Sequence, residues 1–330
     1  MPGFDATLHP MTIQWFPGHM HSTRKAIAER MKTTDVVIEM LDARLPGSSA
    51  NPALAEMTSV KPRLKILNKQ DLADDACTTE WLAHYNTQDA TGAIALDASQ
   101  TPPAQRKAII EACHRLSPNR GGMAKPMRVL ICGVPNVGKS TLINTLSLKR
   151  QAKAADEAGV TKQEQRILLA DDFYLYDTPG MLWPKIIVPE SGYRLAISGA
   201  VGRNAYDDVE VALELVAYLK GQYPQALRAR YGLAADTAQV ALSAQTDEDI
   251  LESIGRKRGG LLSGGRIDLQ KAAEVLITDF RGGILGRITL ETVTQFSQWL
   301  AAGQQAEAEL HRRRAETLAQ RKGGGRRRDG

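Results

Sequence analysis

The order of three short motifs constrains the fold of this 330-residue chain more than any other feature. NKQD at 68–71 precedes the glycine-rich segment GVPNVGKST at 133–141, and DTPG at 177–180 follows it. In small GTPases the phosphate-binding loop comes first and the guanine-binding motif comes last. Here the same parts stand in rotated order, as if the old termini had been joined and the chain reopened after DTPG. The order therefore predicts a circularly permuted P-loop GTPase domain whose γ-phosphate motif continues directly into the rest of the chain.

Short apolar runs alternate with helical patterns between about residues 12 and 184. The runs with strand character are 36–41, 64–67, 94–96, 127–132 and 173–176. This alternation is typical of an α/β domain with a mostly parallel sheet and helices on both faces. Several runs end directly in a motif, and ligands of open α/β sheets bind at the carboxyl ends of the strands. We therefore expect a single ligand site at that edge.

The pattern changes to helices after residue 189. Apolar residues at Val209, Ala212, Leu213, Val216 and Leu219 have the spacing of an amphipathic helix, and two more helical patterns follow. We predict a permuted GTPase domain over residues 1–185 and a small all-α domain over 186–303. Residues 304–330 have few apolar anchors, so we expect a basic tail that begins as a fraying helix and becomes disordered.

The positive charge of the chain is concentrated at one end. The last 20 residues contain eight Lys or Arg and two acidic residues, whereas the whole chain carries only +5. This distribution favours an arm that contacts a polyanion. The three cysteines lack metal-ligand or disulfide spacing, and no apolar run is long enough to span a bilayer. We expect a cytoplasmic protein without a membrane segment, with Met11 as a candidate alternative start because the patterned sequence begins there.

The segment 133–141 has the G-x-x-x-x-G-K-S pattern of a phosphate-binding loop between a β-rich run and a helix. Its backbone N–H groups would form an anion nest, with Lys139 at the β- and γ-phosphates and the Ser140 hydroxyl on Mg²⁺. The nucleotide-binding residues predicted here are Asn136, Val137, Gly138, Lys139, Ser140 and Thr141. The alternative is a glycine-rich turn that holds no ligand.

NKQD assigns guanine binding to Asn68, Lys69 and Asp71. The Asp71 carboxylate would accept hydrogen bonds from two guanine N–H donors, whereas adenine offers a lone pair at that edge, so discrimination of roughly 10⁴ is attainable and an ATP-using enzyme is disfavoured. Ala98 and Ser99, at the end of LDAS, fit the backbone contact to the guanine oxygen. An ordinary turn after a strand is the alternative for LDAS.

DTPG supplies an acidic group for the Mg²⁺ shell, Asp177, and a backbone N–H for the γ-phosphate, Gly180. Thr161 lies in a polar stretch between a helix and a strand, where a threonine would reach Mg²⁺ in the triphosphate state. A helix cap is its alternative role.

The residue after Gly180 is Met181, where many GTPases have a glutamine that orients the attacking water. A thioether cannot do this. His19, in a glycine-containing loop, is a candidate because imidazole can polarise water near neutral pH, although a structural hydrogen-bonding role stays open. Asn136 is a candidate ligand for K⁺ beside the phosphates, with loop geometry as its alternative role.

Several segments together resemble the circularly permuted YlqF-type GTPases over nearly all of residues 11 to about 290. The segments that carry the resemblance are WFPGHM, DARLPGSSANP, NKQD, GVPNVGKSTLIN, GVT, DTPGMLWPK and IGRKRG followed by SGG. The chain departs from the family at Ala158-Gly159, where Pro-Gly is common, and in the Arg-rich extension after about Glu291.

The resemblance implies a GTP hydrolase with a helical RNA-binding domain that acts late in assembly of the large ribosomal subunit. Its partners would be rRNA and ribosomal proteins of the subunit precursor, and its hydrolysis would be stimulated on that particle. Members have an apolar residue in place of the glutamine, so the resemblance gives His19 the catalytic role, beside Lys139 and Thr161. It also implies Mg²⁺ dependence and K⁺ stimulation.

Two functional hypotheses follow. The first is a hydrolase whose nucleotide state controls binding to the precursor particle, and the second is a GTP-sensing RNA-binding scaffold whose hydrolysis is incidental. Arg256, Lys257 and Arg258, on an expected glycine-rich turn, are candidates for the RNA contact, with a solvated charge run as the alternative. We expect a monomer away from the ribosome.

Overall fold

A six-stranded sheet forms the centre of the amino-terminal part of the chain. The computed structural model describes residues 19–96, 101–147, 165–183, 186–233, 242–260, 262 and 265–324. The strands are β1 (Val36–Asp42), β2 (Arg63–Asn68), β3 (Thr91–Ala95), β4 (Met127–Gly133), β5 (Gln165–Ala170) and β6 (Phe173–Asp177). Their order is β3-β2-β1-β4-β6-β5, and every neighbouring pair is parallel except β5 with β6. The predicted mostly parallel sheet is confirmed.

Helices connect the strands and make up most of the carboxyl-terminal part. They are α1 (His19–Met31), α2 (Pro46–Ser49), α3 (Pro52–Met57), α4 (Asp75–Asn86), α5 (Pro102–Leu116), α6 (Lys139–Leu146), α7 (Pro189–Ser198), α8 (Asp208–Gln222), α9 (Pro224–Tyr231), α10 (Asp247–Lys257), α11 (Leu269–Arg281) and α12 (Val293–Gly324). Short 3₁₀ helices lie at Gln70–Leu72, Arg203–Ala205 and Leu242–Ala244.

The central strands are buried because helices cover both faces of the sheet. All seven residues of β1 are buried, and β4 is buried except at Arg128, as parallel strands with two covered faces require. In the helical region α8 packs against α10 and α11 through Leu215, Ile254 and Leu276, among other buried side chains. The predicted amphipathic pattern at 209–219 lies within α8.

Two elements differ from the sequence predictions. Strand β5 was not predicted, because Leu168 is exposed on the sheet edge and masks the alternation in which Ile167 and Leu169 are buried. The tail was predicted to become disordered from about residue 304, yet α12 continues to Gly324. Ala, Gln, Glu and Arg favour helix there, and Glu309 pairs with Arg312 and Arg313 one turn later.

The segment between α11 and α12 joins the helical region to the sheet. The Ile288 N–H donates to the Leu72 carbonyl at 3.0 Å, and the Leu290 N–H donates to the Arg44 carbonyl at 2.7 Å. Trp81 of α4 donates its indole N–H to the Glu291 carbonyl at 3.1 Å. The helical region is thereby fixed beside the NKQD motif. Among the described helices, none is long and apolar enough to cross a membrane.

Candidate nucleotide-binding site

The carboxyl ends of four adjacent strands bring the predicted motifs to one edge of the sheet. Asp42 at the end of β1 is in register with Asn68 at the end of β2, and Gly133 at the end of β4 is in register with Met40 of β1. Asp177 at the end of β6 is in register with Ile131 of β4. The guanine motif, the phosphate loop and DTPG therefore share an edge, as open α/β sheets require of a ligand site.

The phosphate loop turns sharply before α6. Asn136 and Gly138 have φ angles of 56° and 100°, and Gly138 caps the amino end of the helix. A side chain at Gly138 would collide with the Asn68 amide. Lys139 is buried and donates to the carbonyls of Gly133 and Val134, each at 3.2 Å. Backbone N–H groups at such a turn, with a helix behind them, form an anion-binding nest.

The other predicted residues of the phosphate loop differ in how exposed they are. Val137 is buried beneath it, Ser140 is half-buried in the first turn of α6, and Thr141 is exposed. Burial lowers the pKa of Lys139, although the nearby Asp177 carboxylate opposes the shift. A buried cation at this point suits a polyphosphate.

The NKQD motif packs directly on the phosphate loop. The Asn68 amide donates to the Val137 carbonyl at 2.9 Å, and the Lys69 ammonium donates to the Asn136 carbonyl at 3.0 Å. Lys69 has a left-handed backbone, φ 62°, which costs a residue other than glycine on the order of 1 kcal/mol. Asp71 lies in the 3₁₀ turn with its side chain exposed. Two segments 69 residues apart in sequence thus form one pocket wall.

A buried ion triad behind Lys69 is a feature that the sequence reasoning missed. Lys69 donates to Asp42 Oδ2 at 2.8 Å, and the Arg44 guanidinium holds both Asp42 oxygens, at 2.9 and 2.8 Å. Burial opposes the charge on Asp42, but Arg44 and Lys69 together hold the pKa of that carboxyl well below its usual range. The sequence feature that could have indicated this triad is the segment DAR, which begins at the end of β1, next to the strand β2 that leads into NKQD.

Asp177 contrasts with that triad. It is buried, and within the described protein neither of its carboxylate oxygens has a partner with the distance and angle of a full hydrogen bond, although the Thr178 backbone N–H approaches it and acts to lower its pKa. Burial raises its pKa to about 6 despite the opposing charge of Lys139. A buried carboxylate without a donor is costly unless a cation or a proton compensates it, and carboxylate oxygen is a ligand that Mg²⁺ prefers. The residue therefore fits the predicted metal-binding role.

The rest of DTPG runs against the phosphate loop. Thr178 donates its hydroxyl to the Ile131 carbonyl at 2.8 Å. A Cβ at Gly180 would lie 3.0 Å from Pro135 Cα and 3.2 Å from Lys139 Nζ, so the backbone can come this close only without a side chain. Met181 is buried, its N–H donates to the Gly133 carbonyl at 3.1 Å, and its carbonyl accepts from the Asn51 amide at 2.8 Å. Its thioether belongs to the core.

Four predicted site residues lie wholly or partly outside the described part of the chain. His19 is the first residue of α1 rather than part of a loop, and its side chain lies outside the described residues, as do Ala98, Ser99 and Thr161 altogether. Asn136 donates its amide to the Gly199 carbonyl, at the end of α7, at 2.8 Å. The K⁺ role of Asn136 stays a prediction.

The basic cluster 256–258 ends helix α10 instead of occupying a glycine-rich turn, which corrects the predicted location. Arg256 pairs with Glu252, and Lys257 donates to the Gly232 carbonyl at 2.9 Å. Arg258 lies 3.9 Å from Asp279 and over the Tyr231 ring. The cluster is partly engaged within the helical region.

Comparisons with known proteins agree with this geometry. Residues 128–224 match the family model described as 50S ribosome-binding GTPase. Ribosome biogenesis GTPase A of Bacillus cereus is 40% identical over 87% of this chain and 96% of its own length. The protein of that name from Priestia megaterium is 38% identical over 87% of this chain and 99% of its own length.

Solved structures share the fold. The GDP-bound structure of TM YlqF covers 82% of this chain and 99% of its own, with a TM-score of 0.58 and 24% identity. The GNP-bound YlqF from Thermotoga maritima covers 82% of this chain and 98% of its own, with a TM-score of 0.57 and 24% identity. At this identity the likeness concerns architecture.

Proposed function

The chain belongs to the ribosome biogenesis GTPase A family, and from this membership we propose that it couples GTP binding and hydrolysis to a late step in assembly of the large ribosomal subunit. The observation that carries the proposal is the contact of NKQD with the phosphate loop, through Asn68 on Val137 and Lys69 on Asn136. A base clamp joined to a phosphate nest selects a guanine nucleotide rather than a lone phosphate.

In the proposed complex, Asp71 accepts the two guanine N–H donors, with Ala98 and Ser99 at the guanine oxygen. The N–H groups of residues 136–141 and the Lys139 ammonium hold the β- and γ-phosphates. Lys139 must turn from the carbonyls of Gly133 and Val134 towards the phosphate oxygens. Gly180 offers its N–H to the γ-phosphate from the opposite side.

Hydrolysis joins a water oxygen to the γ-phosphorus while the bond from that phosphorus to the bridging oxygen breaks, which leaves GDP and phosphate. Because the Met181 side chain is buried and apolar, another group has to orient the water. We assign this to His19, whose imidazole nitrogen accepts a hydrogen bond from the attacking water and carries its proton as the new bond forms.

Ser140, Thr161 and Asp177 would hold Mg²⁺, which neutralises charge on the phosphates when bound. The two unpartnered Asp177 oxygens are the structural support for that assignment. Asn136 would add an oxygen ligand for K⁺, so we expect potassium to stimulate the reaction.

Residues 1–185 form the permuted GTPase domain in this proposal, and 186–303 form the helical domain that binds the precursor particle. Arg256 and its basic neighbours at the end of α10 contact rRNA, and the basic segment 304–330 adds sequence-independent affinity for phosphates. The protein works in the cytoplasm, as a monomer away from the particle, on rRNA and ribosomal proteins of the large subunit.

Gradient sedimentation of cell extract tests this proposal. With a non-hydrolysable GTP analogue the protein should sediment with large-subunit precursors, and with GDP it should stay near the top of the gradient. Sedimentation that ignores the nucleotide would contradict the proposal. The second candidate is a GTP-sensing RNA-binding scaffold whose hydrolysis is incidental, which the exposed Arg312, Arg313 and Arg314 of α12 support. A variant that binds GTP but cannot hydrolyse it should remain trapped on the particle only if the protein is a hydrolase switch.

A further inference from the structure

The segment DARLPG at 42–47 is buried throughout, although none of its residues has a role in the reaction described above. Asp42 holds Lys69 of the guanine motif at 2.8 Å, and Arg44 holds both oxygens of Asp42. Without Asp42, the Lys69 ammonium would have the Asn136 carbonyl but no counter-ion among the described residues. Asp42 thus fixes the lysine that bridges the base motif and the phosphate loop.

Arg44 is in turn held by the helical region. Its Nη1 lies 3.4 Å from the carbonyl oxygens of Phe280 and Arg281, and its guanidinium lies 4.8 Å from the centre of the Phe280 ring. These carbonyls end helix α11, where the helix dipole is negative and favours a cation. The contact joins residues 236 positions apart in sequence.

A second contact reaches the guanine motif from the segment that follows α11. Arg287 donates to the Gln70 carbonyl at 3.0 Å and to the Ala73 carbonyl at 2.8 Å, and it pairs with Asp75. The segment after α11 therefore contacts the backbone of the motif at Gln70. Arg44 acts on the side chain of Lys69 through Asp42. Both contacts come from one end of α11.

We propose that Asp42 is a positioning residue for guanine nucleotide binding, and that Arg44 makes its position depend on the end of helix α11. Lys69, Asp42, Arg44 and the Phe280 and Arg281 carbonyls form one continuous path, here called the Asp42 relay. A shift of α11 moves Arg44, which moves the carboxylate that sets Lys69. Partners that bind the helical region therefore change nucleotide affinity through the relay, and nucleotide changes partner affinity by the same factor.

Stability alone does not account for the relay. Buried ion pairs contribute little net stability compared with well-packed apolar side chains, because desolvation offsets most of their attraction. They do fix geometry, since a bidentate guanidinium–carboxylate pair is directional. The relay uses this directionality at Lys69, which touches both halves of the nucleotide site.

The test compares Asp42→Asn with a matched control, Asp35→Asn. Asp35 precedes the opposite end of β1, pairs with Arg120 at 2.9 Å and accepts the Arg128 N–H at 2.9 Å, and among the described contacts it meets neither a nucleotide motif nor α11. The full-length variants are titrated with fluorescent GDP, and the Tm of each is measured without and with GDP. Asp42→Asn should weaken GDP binding by roughly 10- to 100-fold, because a charge-assisted hydrogen bond is lost. Asp35→Asn should stay within about twofold of the native affinity while its Tm falls comparably.

Arg44→Lys gives a second route if Asp42→Asn fails to fold. A lysine keeps a cation beside Asp42 but cannot hold both of its oxygens and reach the α11 carbonyls, so GDP affinity should fall roughly 3- to 10-fold. Native GDP affinity in Arg44→Lys would overturn the dependence on α11. Equal loss in Asp42→Asn and Asp35→Asn would overturn the positioning role, because destabilisation alone would then explain both.

The inference rests on the proposed assignment of Asp71 to the base, and Asp71→Asn separates the two. If Asp71→Asn loses affinity and Asp42→Asn does not, the proposed function stands and the relay is wrong. If neither variant loses affinity, the guanine assignment of NKQD is wrong as well.

Discussion

The guanine side and the phosphate side of the site lie on the same sheet edge but treat their charges in opposite ways. On the guanine side, the Asp42 carboxylate is paired with both Lys69 and Arg44. On the phosphate side, no side chain of the described protein donates a hydrogen bond to the Asp177 oxygens, and Lys139 donates to carbonyls of its own loop. The protein therefore organises the base site before nucleotide binds, whereas the phosphate site is completed by its ligands.

The contrast follows from what packs on each side. The helical region is attached at the guanine side through Leu290 on Arg44 and Arg287 on Gln70, whereas its contact with the phosphate loop is the Asn136 amide on the Gly199 carbonyl. At the phosphate side, Asp177 and Lys139 attract each other without a hydrogen bond between them, and burial raises the pKa of Asp177 and lowers the pKa of Lys139. We expect chemistry to be most sensitive to changes on the phosphate side, and coupling to partners on the guanine side.

The largest effect is expected from His19→Ala. If the imidazole orients the attacking water, its removal should lower the turnover number by roughly 10²–10⁴ while GTP affinity stays nearly unchanged. Single-turnover hydrolysis with isolated large subunits measures this, and His21→Ala in the same helix is the control. Native turnover in His19→Ala would remove the histidine from the reaction.

Asp71→Asn tests the guanine side directly. The amide can donate where xanthine offers an acceptor, so the preference for GTP over xanthosine triphosphate should fall by roughly 10²–10³. Competition binding measures the ratio, with Asp89→Asn, an exposed carboxylate after α4, as control. A preference that survives unchanged would show that the base is recognised elsewhere.

Asp177→Asn should have opposite effects with and without metal. Because burial raises the folded pKa to about 6, the ionised carboxylate destabilises the metal-free protein at neutral pH by roughly 2–3 kcal/mol. The asparagine variant should therefore melt a few degrees higher in EDTA, and it should lose the gain in GTP affinity that Mg²⁺ gives the native protein. A metal-free variant less stable than the native protein would contradict this account.

The sign of the pH dependence provides a check on the same variant. The native fold binds the Asp177 proton more readily than the unfolded chain does, so this group's penalty is present above about pH 6 and is relieved as pH falls through that value. The stability difference between Asp177→Asn and the native protein should narrow between about pH 7 and about pH 5.

The smallest effect is expected from the tail. Deleting residues 311–330 should weaken RNA binding modestly, and each lost phosphate contact should flatten the log–log salt dependence by roughly 0.7 to 0.9. A tail of equal length with its Lys and Arg replaced by Gln separates charge from length. If the slope stays the same, the tail contributes through something other than phosphates.

The sequence predicted the motifs and their common edge because each motif is local and directly follows or precedes a strand. It could not predict the Asp42 relay, because DAR gains its meaning only from carbonyls of Phe280 and Arg281, far along the chain. Strand β5 was not predicted because Leu168, an apolar residue exposed at the sheet edge, hides the alternation of apolar and polar residues that indicates a strand. The length of α12 escaped because local ion pairs and helix propensity sustain a helix that few apolar contacts anchor.

The measurement that tests the account most directly is the affinity of the intact protein for isolated large-subunit precursors, with GDP and with a non-hydrolysable GTP analogue. Nucleotide affinity is measured in parallel, with and without the particles. The account predicts that the protein binds the particle about 5 to 150 times more tightly with the GTP analogue than with GDP. It also predicts that the particle increases the preference of the protein for the analogue over GDP by the same factor. Equal particle affinity in both nucleotide states would contradict it.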